Sequence, residues 1–166
     1  TTTTAAKDVV AGDWVGLDPE TERVEWILDR STSFQRQGAR GSRRVQTLAA
    51  NMEVVLLLEP AHPRVNERRL ERELVLAHQS GATPLVVVTK IDLLRRPDDE
   101  VSVASGVSPD VDVVGVSNKT GEGLDTLRAH LHAGVTVAAL GASGVGKSSL
   151  VNALAGREVQ LTGGVR

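Results

Sequence analysis

From Met52 onward the chain alternates between short runs that are apolar at consecutive positions and longer stretches whose apolar residues recur at helical spacing. "EVVLLLE" (Glu53 to Glu59) and "PLVVVTK" (Pro84 to Lys90) have the pattern of parallel strands buried on both faces. Between them Asn66 can cap a helix, Leu70, Leu74 and Ala77 share one helical face, and Gly81 can end it. "VDVVGV" (Val111 to Val116) predicts a third strand, followed by a helix with Leu124, Leu127 and Leu131 on one side. "VTVAAL" (Val135 to Leu140) predicts a fourth, followed by a helix that ends near Gly156. Strands that alternate with helices in this order predict an α/β fold, a parallel sheet with helices on both faces. Before Asn51 the pattern changes. "DWVGLD", "RVEWILD" and "SFQR" are short β-like runs separated by turn formers such as Asp18-Pro19 and Gly38, as in part of a small all-β barrel. The predicted division is therefore 1–50 for the β-rich part and its linker, and 51–166 for the α/β part.

Composition narrows this picture little. At 166 residues the chain can bury a sizeable core, and its formal charge of −2 gives no overall bias toward polyanions, so a nucleic-acid contact would need a local patch. There is no cysteine, which excludes disulfides and Cys-based zinc sites within the chain and fits a cytosolic setting. No apolar run approaches the ~18 residues of a membrane span, and no leader pattern opens the chain. The opening "TTTT" reads as a frayed end.

The chemistry is carried by "GASGVGKSSL" (Gly141 to Leu150), which matches G-x-x-x-x-G-K-[ST] between a predicted strand and a predicted helix. Its glycines let successive backbone N–H groups turn toward phosphate oxygens, and the helix start adds partial positive charge. Gly141, Ala142, Ser143, Gly144, Val145, Gly146, Lys147, Ser148 and Ser149 are thus the candidate phosphate cradle. Lys147 would reach the β- and γ-phosphates, and the Ser148 hydroxyl would be a ligand of Mg²⁺. These two are the candidate catalytic residues.

Two stretches point to the base. "TKID" (Thr89 to Asp92) falls at the carboxyl end of the second strand, where open α/β sheets bind ligands. The Asp92 carboxylate could accept both the N1–H and the exocyclic amino protons of guanine, a donor pair that adenine lacks, while the Lys90 stem lies over the base. "SNKTGEG" (Ser117 to Gly123) ends the third strand in a turn whose backbone N–H groups could meet the guanine O6. Thr89, Lys90, Asp92, Ser117, Asn118 and Lys119 complete the candidate nucleotide site.

In an ordinary Ras-like GTPase the phosphate loop comes first and the base-reading segments later; here that order is reversed. With "GDWV", the Arg-rich linker, "LAAN", "ERRLERELVLAHQSGATPLVVVTKIDL" and "TGEGLDTL" in place as well, the chain resembles the RsgA (YjeQ) family of circularly permuted GTPases over most of its length. The resemblance implies a P-loop GTPase domain of permuted strand order behind a partial oligonucleotide-binding (OB) barrel. It implies GTP hydrolysis to GDP stimulated by the small ribosomal subunit late in its maturation, with Mg²⁺ as cofactor, rRNA as partner, a cytoplasmic location and a monomeric protein. The family continues beyond a segment like "QLTGGVR" into a switch threonine, a DxxG segment and a zinc-binding domain, so the expectation is an incomplete chain, weak or inactive alone, with zinc only in the absent part. Position 89 is Thr where many GTPases carry Asn, which predicts a weaker tie between base loop and phosphate loop, and position 118 is Asn where Ala is usual. A non-hydrolysing guanine-nucleotide-binding RNA module is the alternative.

"RSTSFQRQGARGSRR" (Arg30 to Arg44) holds five arginines and no acid. Arg36, Arg40, Arg43 and Arg44 are the candidate RNA-binding residues, because the guanidinium fork suits phosphate. Trp14 and Trp26 lie in alternating runs and read as barrel core or rim. His62, His78, His130 and His132 show no common ligand spacing, so no metal is assigned to them. Arg68, Arg69 and Arg72 alternate with Glu67, Glu71 and Glu73, which predicts a solvated, salt-bridged helix face.

Overall fold

The computed structural model describes residues 9–37 and 45–160. Four parallel strands, β5 (Val54–Pro60), β6 (Thr83–Thr89), β7 (Val113–Val116) and β8 (Val137–Gly141), form one sheet in the order β7-β6-β5-β8. Four helices connect or follow them: α1 (Glu67–Ser80), α2 (Pro97–Val107), α3 (Leu124–Ala129) and α4 (Lys147–Ala155). The unbroken apolar runs are explained by two cores. Val55, Leu57, Val86 and Val88 pack with Leu70, Leu74 and Ala77 of α1 and Ala104 of α2. The alternate residues Leu56, Leu58, Leu85 and Val87 pack with Leu124 and Leu127 of α3 and Leu150 of α4 on the other face.

Local signals set the helix limits. The Asn66 side chain accepts from the Arg69 N–H at 3.0 Å, and Gly81 ends α1 in the left-handed region. Helix α2 opens on Pro97 followed by three acids, and Glu100 reaches across to the Val65 N–H at 2.7 Å, tying α2 to the loop before α1. The third strand starts at Val113 instead of Val111, because the Val111 N–H closes a turn onto Ser108. Leu131 lies beyond the end of α3 but still packs on its core.

The β-rich part forms two antiparallel ladders among the described residues: β1 (Val15–Leu17) with β2 (Val24–Ile27), and β3 (Ser33–Gln37) with β4 (Val45–Ala50). A bridge from Ala11 to Ala49 and the Arg30 guanidinium, paired with Asp13 at 2.7 and 2.8 Å, join the ladders. The Arg30 hydrogen bonds hold the Asp13 carboxyl below its usual range. Phe34 of β3 enters the same core as Met52 and Leu74, so this ladder packs directly against α1. Of the two places expected for the tryptophans, core or rim, the core is excluded. With Ile27 buried against the interior, Trp14 and Trp26 point the other way and are 68% and 37% exposed, Trp26 lying across Gly16. Alternation alone marks two faces without saying which is covered.

Candidate nucleotide-binding site

The candidate nucleotide-site residues come together at the carboxyl edge of the parallel sheet. Strand β8 pairs with β5 up to Leu58 and Gly141, which brings the start of the phosphate loop so close that a Cβ on Gly141 would stand 2.6 Å from the Leu58 carbonyl oxygen. The loop then turns into α4 at Gly146, whose φ of 107° only glycine adopts readily. Val145 and Leu150 are buried and anchor the loop and the helix start beneath it. Lys147 Nζ folds back over the loop and donates to the carbonyls of Gly141 at 2.8 Å and Ala142 at 2.9 Å. Ser148 and Ser149 follow in the first turn of α4, both half-buried.

Three side chains of the base-loop candidates clasp three successive carbonyls of this loop. Lys90 Nζ donates to Gly144 O at 2.7 Å, Thr89 Oγ1 to Val145 O at 2.7 Å, and Asn118 Nδ2 to Gly146 O at 3.3 Å. Threonine at position 89, expected to loosen the tie, still makes a direct hydrogen bond to the loop. The shorter side chain is fully buried and its hydroxyl reaches the loop, because β6 lies beside β5 and carries Thr89 next to Pro60.

The second cluster orients a carboxylate. Ser117 Oγ donates to Asp92 Oδ1 at 2.7 Å while accepting from the N–H groups of Lys119 at 3.2 Å and Thr120 at 3.1 Å. Two backbone donors of the turn are thus consumed internally. Among the described residues no hydrogen bond takes the Asn118 N–H. Lys90, Asp92, Leu93, Asn118, Lys119, Gly146 and Ser149 line a cavity of about 160 Å³.

A buried acidic group behind the loop has only a faint mark in the sequence, the Glu59 that interrupts the apolar run of β5. Glu59 is fully buried, accepts from Arg69 Nε at 2.6 Å and from the Asn66 N–H at 3.3 Å, and is also paired with Arg69 Nη2. The helix face expected to be a solvated ladder of charges is corrected at two positions: Arg69 turns inward to Glu59, and Glu73 is half-buried with one carboxylate oxygen lacking a partner. Burial, and then the nearby Glu59 charge, raise the Glu73 carboxyl above the usual 4.5. A group that holds its proton more tightly when folded favours the native state at low pH, and that advantage is lost as pH rises through the folded value. Glu73→Gln should therefore melt at a higher temperature than the wild type at pH 7, with the gap closing near pH 4; thermal denaturation at the two pH values checks this.

Of the arginines expected to touch RNA, Arg36 belongs to β3, while Arg40, Arg43 and Arg44 lie outside the described residues, as do the first four threonines and Leu161 to Arg166. No group of three or more His, Asp or Glu among the described residues could hold a metal ion by itself. No helix of the described residues is long and apolar enough to cross a membrane.

A phosphate loop after β8, with base-loop segments on strands that precede it in the chain, defines a P-loop GTPase domain of circularly permuted order. The chain belongs to the RsgA GTPase family, whose model matches residues 27–166. It is 40% identical over 164 residues to the small ribosomal subunit biogenesis GTPase RsgA of Methanosarcina acetivorans, and 40% identical over 158 residues to that of Streptomyces avermitilis. These matches cover 96% and 91% of this chain but 44% and 42% of the relatives, so the chain spans less than half of their length. The crystal structure of YjeQ from Thermotoga maritima superposes with a TM-score of 0.67 at 28% identity, covering 88% of this chain and 51% of that one. That of YloQ, described as a circularly permuted GTPase, gives 0.59 at 26% identity, covering 85% and 48%.

Proposed function

We propose that the chain binds guanine nucleotides with Mg²⁺ and hydrolyses GTP as part of a cytoplasmic factor that matures the small ribosomal subunit. The observation that carries this reading is the convergence at one sheet edge of a phosphate loop, three side chains that clasp it, and an Asp92 carboxylate fixed by Ser117. Asp92 accepts the N1–H and amino protons of guanine, the Asn118 N–H meets O6, and the loop from Gly141 to Ser149 wraps the phosphates. On binding, Lys147 exchanges two neutral carbonyls for charged phosphate oxygens, a stronger pairing, and its charge with the loop N–H groups offsets the negative charge that develops on the transferred phosphoryl group. Mg²⁺ fits this donor set. It prefers few protein ligands together with phosphate oxygens and waters, and Ser148 offers one hydroxyl where, among the described residues, no acidic cluster competes.

The ribosomal part rests on the names of the relatives and on the arginines. Measuring GTP turnover by this chain with and without purified small subunits tests it: the subunits should bind and raise the rate, and nucleotide binding with no effect of the subunits would leave only a nucleotide-binding module. Replacing Arg36, Arg40, Arg43 and Arg44 with Ala should flatten the salt dependence of subunit binding by a slope of about 0.7 to 0.9 for each phosphate that is no longer neutralised, with GDP affinity intact. An unchanged slope places the RNA-binding surface elsewhere.

A further inference from the structure

Resting on the guanine reading above, we propose that the Asn118 carboxamide is the hydrogen-bond donor to the N7 edge of the bound base. Guanine presents two acceptors on that side, N7 and O6, so the protein must supply donors there. Several nearby donors are already committed. The Thr89 hydroxyl is fully buried and bonded to Val145 O, Lys90 Nζ is bonded to Gly144 O, and the N–H groups of Lys119 and Thr120 go to Ser117 Oγ. Asn118 remains, with its backbone N–H for O6 and its side chain on the cavity wall between Lys119 and Gly146.

The side-chain geometry suits the task. A carboxamide has two N–H donors on one nitrogen. One points at Gly146 O over a long 3.3 Å, and the second is available to a ligand in the cavity. A single long bond also leaves the amide free to turn to the plane of an incoming base. In this scheme Asp92 selects guanine over adenine, since both purines have N7, and Asn118 fixes the position and tilt of the ring. The same amide links base and phosphate loop, because the group that touches N7 also holds the carbonyl at the helix cap.

The test compares GDP with 7-deaza-GDP, in which N7 is replaced by C–H, by calorimetric titration of the chain. The wild type should bind GDP about tenfold more tightly, the factor of one ordinary hydrogen bond. In Asn118→Ala that ratio should fall close to one, with GDP itself weakened and still preferred to ADP. Asn118→Asp keeps the shape without the donor and should lose the ratio too, which guards against a packing defect in the alanine variant. Equal weakening of both ligands with the tenfold ratio preserved would overturn the proposal and leave Asn118 as a clasp on Gly146 alone. Loss of the ratio in Ser149→Ala and not in the Asn118 variants would also overturn it, assigning the hydrogen bond to the serine hydroxyl on the same wall. Failure of the wild type to prefer GDP to ADP would instead sink the guanine reading itself.

Discussion

Asp92→Asn should lower GDP and GTP affinity by a factor on the order of 10³ and raise affinity for xanthine nucleotides, because the substitution reverses the hydrogen-bonding sense of one atom. The direction follows from Ser117. Its oxygen already accepts from two backbone N–H groups, so its single proton goes to Asp92 Oδ1. An asparagine at position 92 keeps its oxygen on that proton and must turn its NH₂ toward the base. Guanine meets it with donors and is repelled, whereas xanthine offers a carbonyl at the same place. Competition among GDP, XDP and ADP for the variant measures the outcome, and unchanged GDP affinity would refute the role given to the carboxylate.

Lys147→Ala should weaken GTP and GDP by a factor on the order of 10², the scale of charge-assisted bonds to phosphate, while barely moving the melting temperature. Among the described residues the half-buried ammonium makes two hydrogen bonds, to the carbonyls of Gly141 and Ala142, both within its own loop. Its removal leaves the clasp by Lys90, Thr89 and Asn118 standing. Ser148→Ala should show a smaller loss that appears only when Mg²⁺ is present. Titrations with and without Mg²⁺ separate the two effects, and wild-type affinity in both variants would mean that the loop does not hold phosphate.

The sheet was legible because its strands are buried on both faces: "VVLLL" and "LVVV" can be little else when flanked by capped helices. The phosphate loop and "TKID" were legible because each puts unusual residue types at the end of such a strand. What the sequence hid depended on distance in the chain. Nothing near Thr89 reveals that its hydroxyl meets Val145, and nothing near Arg69 shows that it turns inward to Glu59, since both pairings depend on how separate segments stack. The exposed tryptophans were hidden for a different reason. A two-residue repeat is symmetric with respect to its faces, and only the packing of Ile27 and Phe34 decides which one meets the interior.

Permutation also fixes the order in which the two halves of the site are made. Strands β5, β6 and β7 and their helices leave the ribosome before β8, whose pairing with β5 joins residues as far apart as Val54 and Val137. Such distant pairings form late, because the loop between them must close before any interaction rewards it. The half of the site that would recognise the base therefore precedes the phosphate grip, which is added to a frame already in place. A nucleotide that needs both halves binds only once β8 has joined β5, and it stabilises that state by mass action. Tight occupancy would thus act as a check on the newly made molecule itself, favouring copies in which β8 has docked against β5 in register.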